Sequence, residues 1–255
     1  MVRRRPELDS IARKIERFII KYVSASAAKG LVIGLSGGLD SSVVLKLAVN
    51  ALGQERVFGL ILPSSATPDQ DITDAIDFAK DLGIQYKVIK IEPLIESYLH
   101  ALPANKRASG NLSARIRMNI LYYHAALRGY LVAGTSDKSE KLVGYFTKYG
   151  DGAADILPIA DLYKTQVRAL ASYLKIPAAI KEKKSSPRLW KGHLAEEELG
   201  LGYDNLDPIL QLLLGKKKPR DVASKLGVSL VDVQRVKDML DRSAHKRKPI
   251  PFAKV

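Results

Sequence analysis

The chemistry of this chain centres on residues 30–49, GLVIGLSGGLDSSVVLKLAV. Within it, Ser36-Gly37-Gly38-Leu39-Asp40-Ser41-Ser42 sets two glycines, three hydroxyls and one carboxylate side by side. Glycines let backbone N–H groups approach a ligand closely, and hydroxyls at a helix N-terminus add donors. Together they make an anion cradle suited to phosphates. Asp40 would repel a bare phosphate in that cradle, so a hard cation such as Mg²⁺ between the two is the economical reading. The loop has neither the Gly-Lys-Ser/Thr ending of a Walker motif nor the G-x-G-x-x-G of a dinucleotide fingerprint.

The elements that must hold this loop are legible on both sides of it. Leu31-Val32-Ile33-Gly34-Leu35 reads as a buried parallel strand, and Val43, Val44, Leu45, Leu47 and Ala48 as the helix that packs back on it. Further strands are expected at 57–62, 85–91 and 130–133. Helices are expected from Thr67-Pro68 to Leu82, over 93–102, and from Leu112 to Arg128, with a loop at 103–110. This alternation predicts an α/β fold, a doubly wound parallel sheet with helices on both faces, followed by a helical C-terminal part. The whole chain, 1–255, reads as a single domain. Ligands of such sheets bind beyond the carboxyl ends of the strands, where the Gly134-Thr135 turn meets the first loop.

Past residue 135, Gly144 to Pro158 is glycine-rich, aromatic and charged without a period, and Lys164 to Leu174 is helical. Residues 181–198 are polar with an isolated Trp190 and read as a mobile lid. Residues 219–240 resemble a helix-turn-helix, although a packed helical pair, at a subunit interface, is favoured over DNA reading.

With 255 residues, 46% hydrophobic and 27% charged, the chain is long enough for a substantial core. No segment approaches the ~20 apolar residues of a membrane span. Ile11, Ile15, Phe18, Ile19 and Tyr22 recur at helical spacing and predict an amphipathic first helix. The absence of cysteine excludes a thiol nucleophile and cysteine-ligated metals, and fits a cytoplasmic location. Of the net charge of +14, residues 216–255 hold 12 Lys or Arg against four Asp, a bias toward polyanionic partners or phosphorylated substrates.

The SGGLDS loop resembles that of the ATP pyrophosphatases, which cleave ATP between its α- and β-phosphates. Four further stretches choose among their branches: Asn111-Leu112-Ser113-Ala114-Arg115-Ile116-Arg117-Met118, GTSDKSE at 134–140, GYFTKYGDGAADILPI at 144–159, and Leu162-Tyr163-Lys164-Thr165-Gln166-Val167. Together they resemble ammonia-dependent NAD synthetase over nearly the whole chain. The resemblance implies a homodimer that amidates deamido-NAD with ammonia, releasing AMP and pyrophosphate. It implies ATP contacts from Gly34, Leu35, Ser36, Gly37, Gly38, Leu39, Asp40, Ser41, Thr135, Lys164 and Ser186. It further implies Mg²⁺ ligation by Asp40 and Glu140, and deamido-NAD contacts from Arg115, Lys148, Asp155, His245 and Lys246. Asp151 is the expected acceptor of the ammonia proton, with Lys164 also catalytic. Glutamine-using relatives carry an amidase domain with a cysteine nucleophile, so ammonia, free or received from a separate protein, is the expected nitrogen source.

The lid departs from the family pattern. Ser185-Ser186-Pro187-Arg188-Leu189-Trp190 and Gly192-His193-Leu194-Ala195-Glu196 stand where a Pro-Ser/Thr-Ala and a Gly-Gln-Thr-Asp-Glu are usual. Ser186 still supplies a hydroxyl, whereas Ala195 replaces an acidic residue for which Glu196 or Glu197 would have to substitute. Competing readings are a tRNA-modifying pyrophosphatase, a nucleotide-binding sensor without turnover, and a DNA-binding regulator using 219–240. The first commonly needs cysteines to carry sulfur, and a retired site would often lose Asp40 and Glu140. Neither nucleic acid nor membrane is expected as a partner.

Overall fold

A computed structural model describes residues 5–254. The chain opens with α1 (Arg5–Ala25), which buries Leu8, Ala12, Ile15, Ile19 and Val23 at steps of three and four. The stripe is rotated from the one expected, for Phe18 and Tyr22 are exposed. Leu8, Ala12 and Val23 win because they complete a continuous face against α2 and α7 (α2, Leu39–Leu52; α7, Lys164–Tyr173).

Four parallel strands form the sheet: β1 (Leu31–Gly34), β2 (Val57–Ile61), β3 (Gln85–Val88) and β4 (Leu131–Ala133), in the order β3-β2-β1-β4. In β1, Leu31 and Ile33 join the core shared with α1, α2 and α7, while Val32 faces the opposite side. That alternation puts hydrophobic layers on both faces of one strand. The second face is covered by α4 (Glu92–Leu99) and α5 (Lys106–Arg128), through Ile95, Ile116 and Ala125. Helix α3 (Asp69–Asp81) follows β2 and packs Ala75 and Phe78 into the first layer.

Two sequence expectations are corrected here. Strand β3 ends at Val88 rather than Ile91, although Ile89 N–H still donates to Ile61 O (2.9 Å) and Ile91 N–H to Pro63 O (2.9 Å). The loop expected at 103–110 is mostly helix: α5 starts at Lys106, capped by Asn105, whose side chain accepts from Ala108 N–H at 2.9 Å. Gly110, the last residue of the expected loop, is buried in the helix because Leu189 needs the space; a Cβ there would lie 3.0 Å from the Leu189 Cβ.

The remaining helices follow β4. They are α6 (Lys138–Val143), then α7, α8 (Ala178–Lys181), α9 (Ala195–Leu199), α10 (Tyr203–Leu214), α11 (Pro219–Leu226), α12 (Leu230–Arg242) and α13 (Ala244–Arg247). The pair α11 and α12 is a packed helical pair, and it packs on α10. Val222, Val233 and Val236 are fully buried against Tyr203, Leu206 and Leu210 of α10, so the apolar face of this pair is used within the chain. Among the described residues no helix is long and apolar enough to cross a membrane.

Candidate active site

The chain leaves β1 toward β2 on one side and returns to β4 on the other, so the loops after β1 and β4 diverge. The crevice expected at such a switch point is present as a cleft of about 620 Å³. Gly34, Leu35, Ser36, Asp40 and Ser41 line it from the first loop, and Thr135 from the second. The first loop holds its own shape: Gly38 N–H donates to Ser36 Oγ at 3.3 Å, and Ser41 and Ser42 hydroxyls donate to Gly38 O at 3.1 and 2.9 Å. No side chain caps α2 at Gly38, which leaves its first-turn N–H groups for a ligand. Gly37 has φ +70, and a Cβ there would lie 2.0 Å from Asp71 O, so only glycine fits the turn. Gly37, Gly38 and Leu39 shape the loop without lining the cleft.

Beneath the loop lies a charge cluster assembled from three elements. Lys164, the first residue of α7, extends Nζ to within 2.8 Å of Asp40 Oδ2, Asp137 Oδ2 and Glu140 Oε1. Lys164 and Asp137 are fully buried, whereas Asp40 and Glu140 keep about a fifth of their side chains open. Lys164 was expected to touch ATP; the cleft does not reach it, because three carboxylates enclose its ammonium. Asp137 was missed, although its D-x-x-E spacing is a helix-start signature: its Oδ1 accepts from Glu140 N–H at 2.8 Å in a capping box.

Three carboxylates around one ammonium would leave two negative charges uncompensated if all were ionised, and the cluster answers by holding its protons more tightly. Burial pushes Asp137 from its ordinary 3.8 up to about 6, with Lys164 pulling down and Asp40 pushing up. Burial and then the Asp137 charge hold Glu140 well above the carboxylate range. Burial would lower Lys164, but Asp40, Glu140 and Asp137 outweigh it and hold it well above 10.5. Asp40 Oδ1 is buried with no hydrogen-bond partner among the described residues. An excess of negative charge, an orphaned carboxylate oxygen and two open hard-oxygen donors beside a phosphate cradle fit Mg²⁺.

The opposite wall is basic. Arg107, Arg115, Arg117, Lys148 and Lys246 all line the cleft. Lys246 Nζ donates to Gly144 O and Phe146 O, both at 2.7 Å, tying the C-terminal helix to the 144–158 loop. Arg115 donates to Lys148 O at 3.3 Å. Arg117, which the sequence reading did not single out, donates to Leu62 O at 3.0 Å and to Ser64 Oγ at 3.3 Å. Burial lowers Arg117 to about 10, which still leaves it charged at neutral pH. Asp151 lies on this wall, its Oδ1 accepting from Thr147 N–H at 2.8 Å. Its carboxyl is pushed up by desolvation between the cleft walls, with the Thr147 and Asp151 backbone N–H groups pulling the other way.

Two residues expected on this wall are elsewhere. Asp155 accepts from Val132 N–H at 2.7 Å and from Tyr122 at 3.3 Å, pinning the 156 segment to β4 where Ala133 and Ile156 form a parallel bridge. His245 is exposed on α13 and does not line the cleft.

The lid expected to be mobile is docked over the cleft. Ser186 lines it, with its hydroxyl donating to His193 O. Trp190 stacks on His193 at 3.6 Å and 9°, and His193 Nε2 meets Glu198 Oε2 at 2.6 Å and Tyr145 Oη at 3.3 Å. Ala195 offers the cleft no carboxylate, and Glu198, one helical turn later, lines it. Glu196 instead turns outward to Arg168 at 3.0 Å.

A family model described as NAD synthase matches residues 11–250. The chain belongs to the NAD synthase family. It is 51% identical over 245 residues to the NH(3)-dependent NAD(+) synthetase of Hyperthermus butylicus, covering 94% of this chain and 89% of that protein. Among solved structures it resembles an NMN synthetase from Francisella tularensis (TM-score 0.87, 36% identity, 97% and 99% of the two chains). It also resembles an NH3-dependent NAD synthetase from Campylobacter jejuni (TM-score 0.80, 32% identity, 97% and 99%).

Proposed function

We propose that this chain amidates deamido-NAD with ammonia at the expense of ATP, giving NAD, AMP and pyrophosphate through an acyl-adenylate. The observation that carries the reading is the acid cluster of Asp40, Asp137 and Glu140, poised under a phosphate loop and facing a cationic wall. ATP lies along Gly34–Ser41 with Thr135 and Ser186 beside it. Asp40 and Glu140 hold Mg²⁺, which when bound neutralises phosphate charge. Lys164 acts from below, keeping those two carboxylates aimed at the cleft. Arg115, Lys148 and Lys246 orient the acceptor dinucleotide.

The acceptor's carboxylate oxygen attacks the α-phosphorus; the bond to the β-phosphate breaks and pyrophosphate leaves. Ammonia attacks the acyl carbon, the bond to the adenylate oxygen breaks, and AMP departs. Asp151 takes the proton that the new amine sheds, a task suited to a carboxyl made more basic by burial. The docked lid keeps water from the intermediate. The active species is a homodimer, a reading supported by Tyr123 and Leu127, which stand exposed on α5 at 65% and 62%.

Incubation with ATP, Mg²⁺, ammonium and either deamido-NAD or nicotinate mononucleotide tests the reaction. NAD formed one-for-one with AMP and pyrophosphate is expected, with the mononucleotide the poorer acceptor; preference for the mononucleotide would align the chain with the Francisella protein instead. Asp151→Asn is expected to keep deamido-NAD-dependent pyrophosphate exchange while slowing amide formation about 10²-fold, the usual size of a general-base contribution. Unimpaired amide formation in that variant removes the assignment.

A further inference from the structure

Asp71, near the start of α3, belongs to none of the motifs above, yet both of its carboxylate oxygens are taken by lid cations. Lys183 Nζ lies 2.8 Å from Oδ1, and Arg188 Nε lies 2.8 Å from Oδ2. Lys183 also reaches Asp74 Oδ2 at 2.5 Å and donates to the carbonyl of Gly37 at 3.0 Å. The Asp71 side chain is 6% exposed and that of Lys183 17%, so these pairs sit largely out of water. Asp71 itself meets the phosphate loop through its backbone, since its carbonyl is the atom that denies Gly37 a Cβ. Lid, phosphate loop and α3 therefore converge on one residue. At its far end the lid rests on α5, with Leu189 against Gly110 and Lys106 4.7 Å over the Trp190 ring. Those contacts are apolar or exposed, whereas the end beside the phosphate loop is held by charge.

We propose that Asp71 is a positioning residue that latches the lid over the cleft by binding Lys183 and Arg188 together, and so sets the share of the activated intermediate that ammonia captures. The proposal rests on the reaction proposed above. With the latch broken, water competes: its oxygen attacks the acyl carbon, the bond to the adenylate oxygen breaks, AMP leaves and a proton is released. ATP is then spent while the acceptor is returned unchanged. Asp74 completes the latch on the lysine side. Burial raises its carboxyl, but hydrogen bonds from Lys183 and Gln70 and the Lys183 charge bring it net below the usual range.

The test compares AMP formed with NAD formed at subsaturating ammonium, in the parent chain and in Asp71→Asn, Lys183→Met and Arg188→Met. Limited proteolysis with proteinase K, its cuts mapped to residues 181–198, reports the lid directly. Each variant is expected to raise the AMP-to-NAD ratio severalfold above the parent's one-for-one. Cutting in the lid should quicken at least about tenfold, since breaking a pair this buried costs more than the ~1.4 kcal/mol a tenfold change represents. Asp71→Asn combined with Lys183→Met should exceed neither single variant by much. Activity lost at an unchanged ratio with a lid as resistant as the parent's would overturn the latch, leaving Asp71 a support for the loop alone. If the parent makes no NAD, the reaction assignment fails, while the proteolysis arm still decides the latch. Arg188→Met removes a contact to Asp71 and none to the phosphate loop, so it decides the latch even if Asp71→Asn does not fold.

Discussion

Glu140→Gln is expected to melt higher than the parent chain and to lose nearly all ATP activation. The parent's cluster sets Asp40, Asp137 and Glu140 around the single ammonium of Lys164, each at 2.8 Å. Folding therefore forces more negative charge together than one lysine offsets, and the raised carboxyls of Glu140 and Asp137 express that cost. Glutamine keeps the shape and the reach back to the Asp137 N–H while deleting one charge. Relief of about 1–2 kcal/mol, or roughly 2–8 °C in Tm for a chain of this size, is the expected scale.

The sign with pH follows from the raised acid. From the ordinary value of 4.5 up to its raised folded value, the folded state must hold a proton that the unfolded chain has given up, a cost that grows with pH and that the amide escapes. Below 4.5 both states hold the proton, and the gain fades. The Tm difference between variant and parent should therefore grow from pH 5 to pH 8. Mg²⁺ with ATP should raise the Tm of the parent and do little for the variant, and turnover should fall by about 10²–10³-fold or more, the scale of losing a preorganised electrostatic contact. Scanning calorimetry at the two pH values, with and without Mg²⁺ and ATP, measures all of this. A variant less stable than the parent at pH 8 would end the charge-excess account. Such a trade of stability for function is common at active sites.

Lys164→Met is expected to be the most destabilising single change in the site. It removes the only ammonium from a fully buried position and leaves three carboxylates unpaired, a loss of about 3–5 kcal/mol. The deficit should be largest near pH 8 and shrink toward pH 5, because Asp137, at about 6 even beside the lysine, and Glu140 then take up protons. In that window the folded state holds protons the unfolded chain has given up, so acid stabilises it through these groups, the reverse of an ordinary ion-paired carboxylate. In the parent, the lysine's own contribution is present at neutral pH and disappears only above its ordinary 10.5, as pH rises through its folded value. Urea titrations of parent and variant at pH 5, 6.5 and 8 give the comparison. A deficit independent of pH would mean that Lys164 acts by packing rather than charge. Loss of NAD formation in Lys164→Met would be indirect, through Asp40 and Glu140 swinging from their aim.

Local chemistry made much of this protein legible from its residues. Strand, glycine pair and helix around Ser36–Ser41 were readable because each depends on neighbours in sequence: apolar runs for the strand, φ-permissive glycine for the turn, apolar periodicity for the helix. Alternation of strands and helices then required the parallel sheet and put the second loop, with Thr135, beside the first. Errors came where tertiary contact overrode a local signal, as at Gly110, kept in a helix by Leu189, and at Tyr22, turned outward because Val23 completes the buried face.

Motif resemblance named Lys164, Asp155 and His245 as contacts, but which atoms share a cleft depends on groups far apart in the chain. Lys164 lies 124 positions from Asp40, and Lys183 lies 112 from Asp71. A carboxylate in sequence carries no mark of whether it will face a cation, a backbone N–H or solvent; burial decides, and burial is a property of the packed whole. By itself the sequence determined the phosphate loop, the sheet that presents it and the class of chemistry. Only the tertiary structure gathered Asp137 with Lys164 under that loop, turned Asp155 to a structural bond on β4, brought Glu198 to the cleft beside Ala195, and drew the lid's cations onto Asp71. Charges buried together must find one another across the fold, whereas turns and strands answer only to their neighbours.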